Sequence, residues 1–188
     1  MVSYTMHTPV GWIRLEADET ALVRLVLRAD PPAGAPCPPS SLLADAAGQI
    51  LEYFQGTRTE FSVPLRPEGT EFQKRVWSRL CAVPYGTTCS YKELAAAAGS
   101  ARACRAVGNA NGKNPIPILI PCHRVIAADG NLGGYSGGLD IKVSLLQLET
   151  AVRSLRESAE AGRRSRRRKH RASSSVPAVP VLKGEETN

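Results

Sequence analysis

Cys122 is followed directly by His123 and Arg124 in the stretch Asn114–Val125, NPIPILIPCHRV, which sets three prolines and a short apolar run before one thiol. A thiol is nucleophilic as its thiolate, and a nearby imidazole, cation or helix N-terminus stabilises that form. Adjacent residues on an extended segment point to opposite faces. His123 would therefore reach Cys122 only through a water or after a turn of the backbone. An imidazole in this role needs an acid to hold its tautomer and stabilise its charged form. Glu149, in an apolar-periodic segment later in the chain, is the candidate. A buried structural cysteine beside a histidine fits the same residues, and spacing alone does not choose between the two readings. The other cysteines, Cys37, Cys81, Cys89 and Cys104, form no CxxC pair and no Cys/His cluster at zinc spacing. Most of them read as small buried hydrophobes, and neither a disulfide framework nor a metal site is expected.

A second group of residues suits DNA. Ala103-Cys104-Arg105-Ala106-Val107-Gly108-Asn109-Ala110 is almost all small, with one long cation. A helix that reads base edges usually presents Arg, Asn or Gln in numbers. Small residues instead let a helix backbone approach DNA closely, and a single Arg105 could enter the base stack, as in minor-groove binding and base extrusion. The competing reading is a tightly packed Ala/Gly helix in a core, with Arg105 exposed by chance.

The elements that must position these groups follow from periodicity and punctuation. Tyr4-Thr5, Gly11–Leu15 and Ala21–Leu27 read as strands, the last two forming a hairpin about Asp18-Glu19. Five prolines in Asp30–Ser41 make that segment a loop. Leu42, Leu43, Ala46, Ala47, Ile50, Leu51 and Phe54 recur at helical spacing up to Gly56, and Phe61, Val63 and Leu65 alternate as one more strand. From Thr70 the pattern turns helical. Thr70 is placed to cap a helix carrying Phe72, Val76, Trp77 and Leu80 on one face. Ser90 and Glu93 form a capping-box pair for a second helix that stops at Gly99. The next helix carries Arg105, and the two have the length of a helix-turn-helix. A last helix covers Lys142 to Leu155. The expected organisation is α+β: an N-terminal α/β domain over 1–67, a mostly helical domain over 68–158, and a disordered basic tail over 159–188.

The chain has 188 residues and a net charge of +7, but the run Arg163–Arg171 alone holds seven Lys/Arg and no acid. The remaining residues carry 17 bases and 17 acids. Any DNA affinity of the folded part must therefore come from local geometry, with the tail adding a salt-dependent, non-specific contribution. No stretch reaches the ~18 consecutive apolar residues of a membrane span, and the N-terminus lacks a secretory pattern, so a cytoplasmic location is expected.

NPIPILIPCHRV, with GYSGGL and LLQLE after it and GTEFQKRVWSRLCAVPYGTTCSYKELA and RAVGNANGKNP before it, resembles the methylated-DNA–protein-cysteine methyltransferases, the O6-alkylguanine-DNA alkyltransferase family. The likeness runs to Glu149 over about 80 residues. It implies a ribonuclease H-like N-terminal domain and a winged helix-turn-helix-like domain carrying the active site. It also implies irreversible, single-turnover transfer of the alkyl group of O6-alkylguanine, and of O4-alkylthymine as a second substrate, from duplex DNA to Cys122. By the same resemblance His123 acts through a water backed by Glu149, Tyr91 helps rotate the nucleotide and donates to the base, and Arg105 fills the space the base leaves. Asn114 ties the DNA-binding helices to the active site, and Arg124 is a structural partner. Ser90, Ala106, Gly108 and Asn109 are expected at the DNA. Pro117, Tyr135, Ser136 and Gly137 are expected around the base, with the Ile118–Pro121 run extending an apolar wall. No cofactor, metal or membrane is implied, and the protein is expected as a monomer able to associate along DNA. A non-catalytic lesion-binding protein and a helix-turn-helix regulator with a thiol sensor are the alternatives; the presence of Cys122 counts against the first. Ser144 stands where the family usually carries a bulky aromatic, which puts the positioning of Glu149 in question.

Overall fold

The computed structural model describes residues 1–32, 38–99 and 102–173. Cys37 and the tail beyond Ser173 lie outside them. Met1–Arg153 form one compact unit. Three antiparallel strands, β1 (Val2–Thr8), β2 (Gly11–Ala17) and β3 (Leu22–Leu27), make a sheet in sequence order. Alternation fixes the register: Ile13, Leu15 and Ala17 of β2 are buried while the residues between them are half-buried. Helix α1 (Ser41–Phe54) packs on all three strands through Leu43, Ala46, Ala47, Ile50 and Tyr53, which share one helical face. The Ser40 hydroxyl caps its start by accepting from the Leu43 amide.

Phe61, Val63 and Leu65 do not form the expected strand; only Leu65 bridges, to Leu22. Pro64 interrupts the run, and a proline cannot supply the ladder donor there. What remains is a short loop whose Pro64 carbonyl accepts from the Leu22 amide.

Helices α2 (Glu71–Cys81) and α3 (Tyr91–Ala97) both begin with full capping boxes, Thr70 with Gln73 and Ser90 with Glu93. Gly99, just past the end of α3, has the positive φ that stops a helix cheaply. Helix α4 (Cys104–Gly112) packs against both α2 and α3, and the Trp77 indole of α2 donates to the Ala110 carbonyl at 2.8 Å. The short β4 (Cys89–Ser90) and β5 (Val125–Ile126) pair in parallel beside α3. One hydrophobic core runs from Met6 and Ile13 through Ile50 and Trp77 to Ile118 and Leu145, across the boundary expected between residues 67 and 68.

Helix α5 (Leu139–Ser173) is longer than expected. Residues up to Ser173, within the stretch expected to be disordered from residue 159, are helical and belong to a second unit starting at Ser154. Leu155, Arg156, Glu157, Ala159, Glu160 and Ala161 have high intrinsic helix propensity, and no proline interrupts them. A helix can thus persist there without the apolar face on which the expectation relied. No described helix is long and apolar enough to cross a membrane.

Candidate active site

The segment between α4 and β5 is not an extended strand. Asn114, buried at the end of α4, donates through Nδ2 to the Ile120 carbonyl at 2.7 Å and accepts through Oδ1 from the Ile116 amide at 3.0 Å. The Ile120 amide closes back on the Ile116 carbonyl at 2.9 Å, and the Leu25 amide of β3 holds the Pro115 carbonyl at the same distance. Ile118 sits at φ +74°, a conformation that costs a β-branched residue about 1–3 kcal/mol and must be imposed by its surroundings. Cys122–Arg124 then form a single 3-10 turn, contrary to the extended reading. This turn lets three consecutive buried side chains serve different partners.

His123 Nε2 lies 2.8 Å from Glu149 Oε1. Arg124 grips the same carboxylate with two nitrogens: Nε donates to Oε2 at 2.9 Å and Nη2 to Oε1 at 2.9 Å. Its Nη1 donates to the Val83 carbonyl at 2.6 Å. The Gly86 amide donates to Oε2 at 2.9 Å and the Tyr53 hydroxyl to Oε1 at 2.8 Å. Glu149 is 1% exposed. Burial by itself would raise its carboxyl, but the bonds and charges of His123 and Arg124 hold it at about 2. Glu149 is therefore ionised and can only accept, so His123 Nε2 carries the proton. Burial lowers the His123 imidazole despite the Glu149 contact, which leaves it neutral with Nδ1 as an acceptor. Nδ1 is buried and has no hydrogen-bond partner among the described residues.

The Cys122 thiol is pushed up to about 11 by burial, an effect offset in part by the Asn114 side chain, its own backbone, the Lys142 charge and Tyr135. At rest the thiol is protonated. It opens on a cleft of about 330 Å³ lined by Tyr91, Gly108, Asn111, Gly112, Gly134, Tyr135 and Ser136. This is at the small end of ligand sites (~300–1,000 Å³), a size for one small group. Tyr91 opens α3 and lies between two glycines: a Cβ on Gly108 would sit 3.8 Å from its ring, and one on Gly133 would sit 3.0 Å from its hydroxyl. Tyr135 closes the other side, its hydroxyl buried beside Cys122 and raised by burial first and the thiol second.

Cys122, Tyr91, Gly108, Tyr135 and Ser136 therefore converge on one cleft, with His123 and Glu149 behind the thiol. Arg105, Ala106 and Asn109 lie exposed along α4, the helix whose Gly108 and Gly112 line the cleft, while the Ser90 hydroxyl is engaged in capping α3. Pro117 and Gly137 do not line the cleft. They face a separate cavity of about 610 Å³ that shares only Ser136 and Gly112 with it. The apolar wall is corrected likewise: Ile118, Leu119 and Ile120 are core residues, because the Asn114-stapled turn directs them inward. Ser144 is exposed and bonds only the Asp140 carbonyl at 2.9 Å, so Glu149 is fixed without an aromatic at that position.

Three residues of this arrangement are absent from the sequence reading. Tyr53 looks like any apolar position of α1. Asn111 lines the cleft but lies among small residues whose facing direction needed the helix ends. Lys142, fully buried, donates through Nζ to the Val125 carbonyl at 2.6 Å and to the Leu132 carbonyl, clamping the loop that leads to Tyr135. A lysine in an otherwise apolar stripe, opposite a required thiolate, was the available signal.

Residues 71–151 match the family profile of the 6-O-methylguanine DNA methyltransferase DNA-binding domain, and residues 1–67 match that of its ribonuclease-like domain. A methylated-DNA–protein-cysteine methyltransferase of Mycobacterium leprae is 45% identical over 148 residues, covering 77% of this chain and 90% of that protein. One of Methanosarcina barkeri is 58% identical over 105 residues, 56% of this chain and 66% of that protein. Among solved structures, Mycobacterium tuberculosis OGT in complex with DNA superposes with a TM-score of 0.73 at 43% identity, covering 80% of this chain and 93% of that one.

Proposed function

The chain belongs to the 6-O-methylguanine DNA methyltransferase family, and from that premise we propose that it repairs DNA by moving the alkyl group of O6-alkylguanine onto Cys122. The observation that carries the reading is the buried thiol at the base of a small cleft, backed by an imidazole whose free nitrogen can only accept. With the base extruded into the cleft, the thiol proton passes to His123 Nδ1 through one bridging water. Sulfur attacks the saturated carbon on O6, the S–C bond forms as the C–O bond breaks, and the electron pair moves into the guanine. Tyr91 donates a hydrogen bond toward the ring and stabilises that charge, which the imidazolium balances. The imidazolium is stabilised by Glu149, which Arg124 and Gly86 already hold in place. The product is a thioether with no group placed to hydrolyse it, so each molecule acts once.

Arg105, on the exposed side of α4, supports extrusion by entering the space the base leaves, while Ala106, Gly108 and Asn109 let the helix backbone approach the duplex. Asn114 transmits the position of α4 to the thiol turn. O4-alkylthymine as a second substrate, monomeric action with association along DNA, and a cytoplasmic location belong to the same proposal. Incubation with a duplex carrying O6-methylguanine should add one methyl (~14 Da) to the intact protein, and Cys122→Ser should abolish the gain. DNA binding with no mass gain would replace this reading with that of a lesion-binding protein.

A further inference from the structure

Tyr53 is fully buried, yet it carries a hydroxyl where phenylalanine would fill the same space. A tyrosine hydroxyl in such a place needs a partner, and this one has a specific partner. It donates at 2.8 Å to Glu149 Oε1, the oxygen that also accepts from His123 Nε2 at 2.8 Å. Its ring is held edge-on by Phe54 and Tyr85 and tilted against Phe61, so the hydroxyl has little freedom to turn away. The Arg124 guanidinium in turn lies 5.5 Å above the Tyr85 ring.

We propose that Tyr53 is a positioning residue of the transfer site: its hydroxyl shares one carboxylate oxygen with His123, and so helix α1 sets the basicity of the imidazole behind Cys122. This deepens the proposed function and rests on its relay. The groups facing the shared carboxylate are Tyr53 from α1, the Gly86 amide from the turn after α2, and His123 and Arg124 from the thiol turn. Tyr85 faces Tyr53, and Lys142 of α5 acts on both His123 and Cys122. Tyr53, His123 and the Arg124 Nη2 all donate to this oxygen and divide its charge. Removing the Tyr53 donor leaves more for the other two, and an imidazole facing a more basic oxygen protonates more readily. Burial, followed by the charge of Glu149, raises Tyr53 far above the ordinary tyrosine value, so it remains a donor throughout the working pH range.

Tyr53→Phe keeps the ring and removes the bond. In the full chain, the His123 ring resonances, identified against His7 and His170 by their loss in His123→Gln, should titrate about half a pH unit higher or more. The imidazolium cannot take the thiol proton, so the acid limb of single-turnover transfer should move up with it. If both the titration and the limb stay where they are, whatever happens to the unfolding midpoint, Tyr53 is only a packing residue and the proposal fails. Should the Phe variant not fold, 3-fluorotyrosine at position 53, a stronger donor of nearly the same size, should move the titration down; no movement overturns the proposal equally. His123→Gln transferring at the wild-type rate would overturn the relay instead, and the titration would still report on Tyr53.

Discussion

Glu149→Gln perturbs the point where the buried charges meet. The carboxyl is held at about 2 against an ordinary 4.5. At ~1.36 kcal/mol per pH unit this difference corresponds to about 3 kcal/mol of stability at neutral pH. Glutamine presents an NH2 to Arg124, His123, Tyr53 and the Gly86 amide, all of which are donors, and leaves the guanidinium charge without its partner. Breaking a buried pair in this way costs ~3–5 kcal/mol, in the same range. In a domain of this size the loss should lower the unfolding midpoint by about 10 °C. A depressed carboxyl contributes stability that is fully present above the unfolded-state value and is lost as pH falls toward the folded one. The gap between wild type and Glu149→Gln should therefore be widest above about pH 5 and narrow by roughly 1–2 kcal/mol by pH 3.5. Urea unfolding of both proteins at pH 7 and pH 3.5 measures it. An equal gap at the two values, or a gap under about 1 kcal/mol at pH 7, would refute the assignment of Glu149 as an ionised, buried hub.

Lys142→Met removes the donor to the Val125 and Leu132 carbonyls and the cation that lowers the Cys122 thiol. Alkylation of Cys122 by iodoacetamide should then need higher pH, with a stability loss of ~1–3 kcal/mol for the two unpaired carbonyls; an unmoved pH profile would count against the electrostatic contribution. Arg105→Ala should slow repair in duplex DNA while leaving reaction with free O6-benzylguanine near normal, and equal losses on both substrates would mean that Arg105 supports the pocket instead.

The thiol turn shows what is legible in the chain and what is not. Cys122, His123 and Glu149 stand out as residue types, and Thr70 and Ser90 announce their helices because a capping box is a local pattern of four residues. The strands β2 and β3 are legible for a similar reason, their alternation being visible within a few residues. The apolar run before Cys122 is misread as a pocket wall because its facing depends on Asn114 bonding both Ile116 and Ile120, a tertiary device with no periodic trace. Tyr53 is invisible for another reason: at its position the helical pattern asks only for a large apolar body, and the hydroxyl's partner lies 96 positions away. The helix past Leu155 leaves no periodic trace, because it carries no apolar stripe and there propensity alone decides.

Glu149 gathers donors from α1, from the turn after α2 and from the thiol turn, so no one of these can peel away without stranding the others' charge. Local opening at the site is then as expensive as opening the unit as a whole. The Gly86 amide, half-buried on a turn where hydrogen exchange is ordinarily fast, is tied to this hub and should exchange with deuterium about as slowly as the amides of β2. A surface turn that exchanges like the core would mark the carboxylate as the place where the chemistry of the site and the cooperativity of the fold are the same interaction.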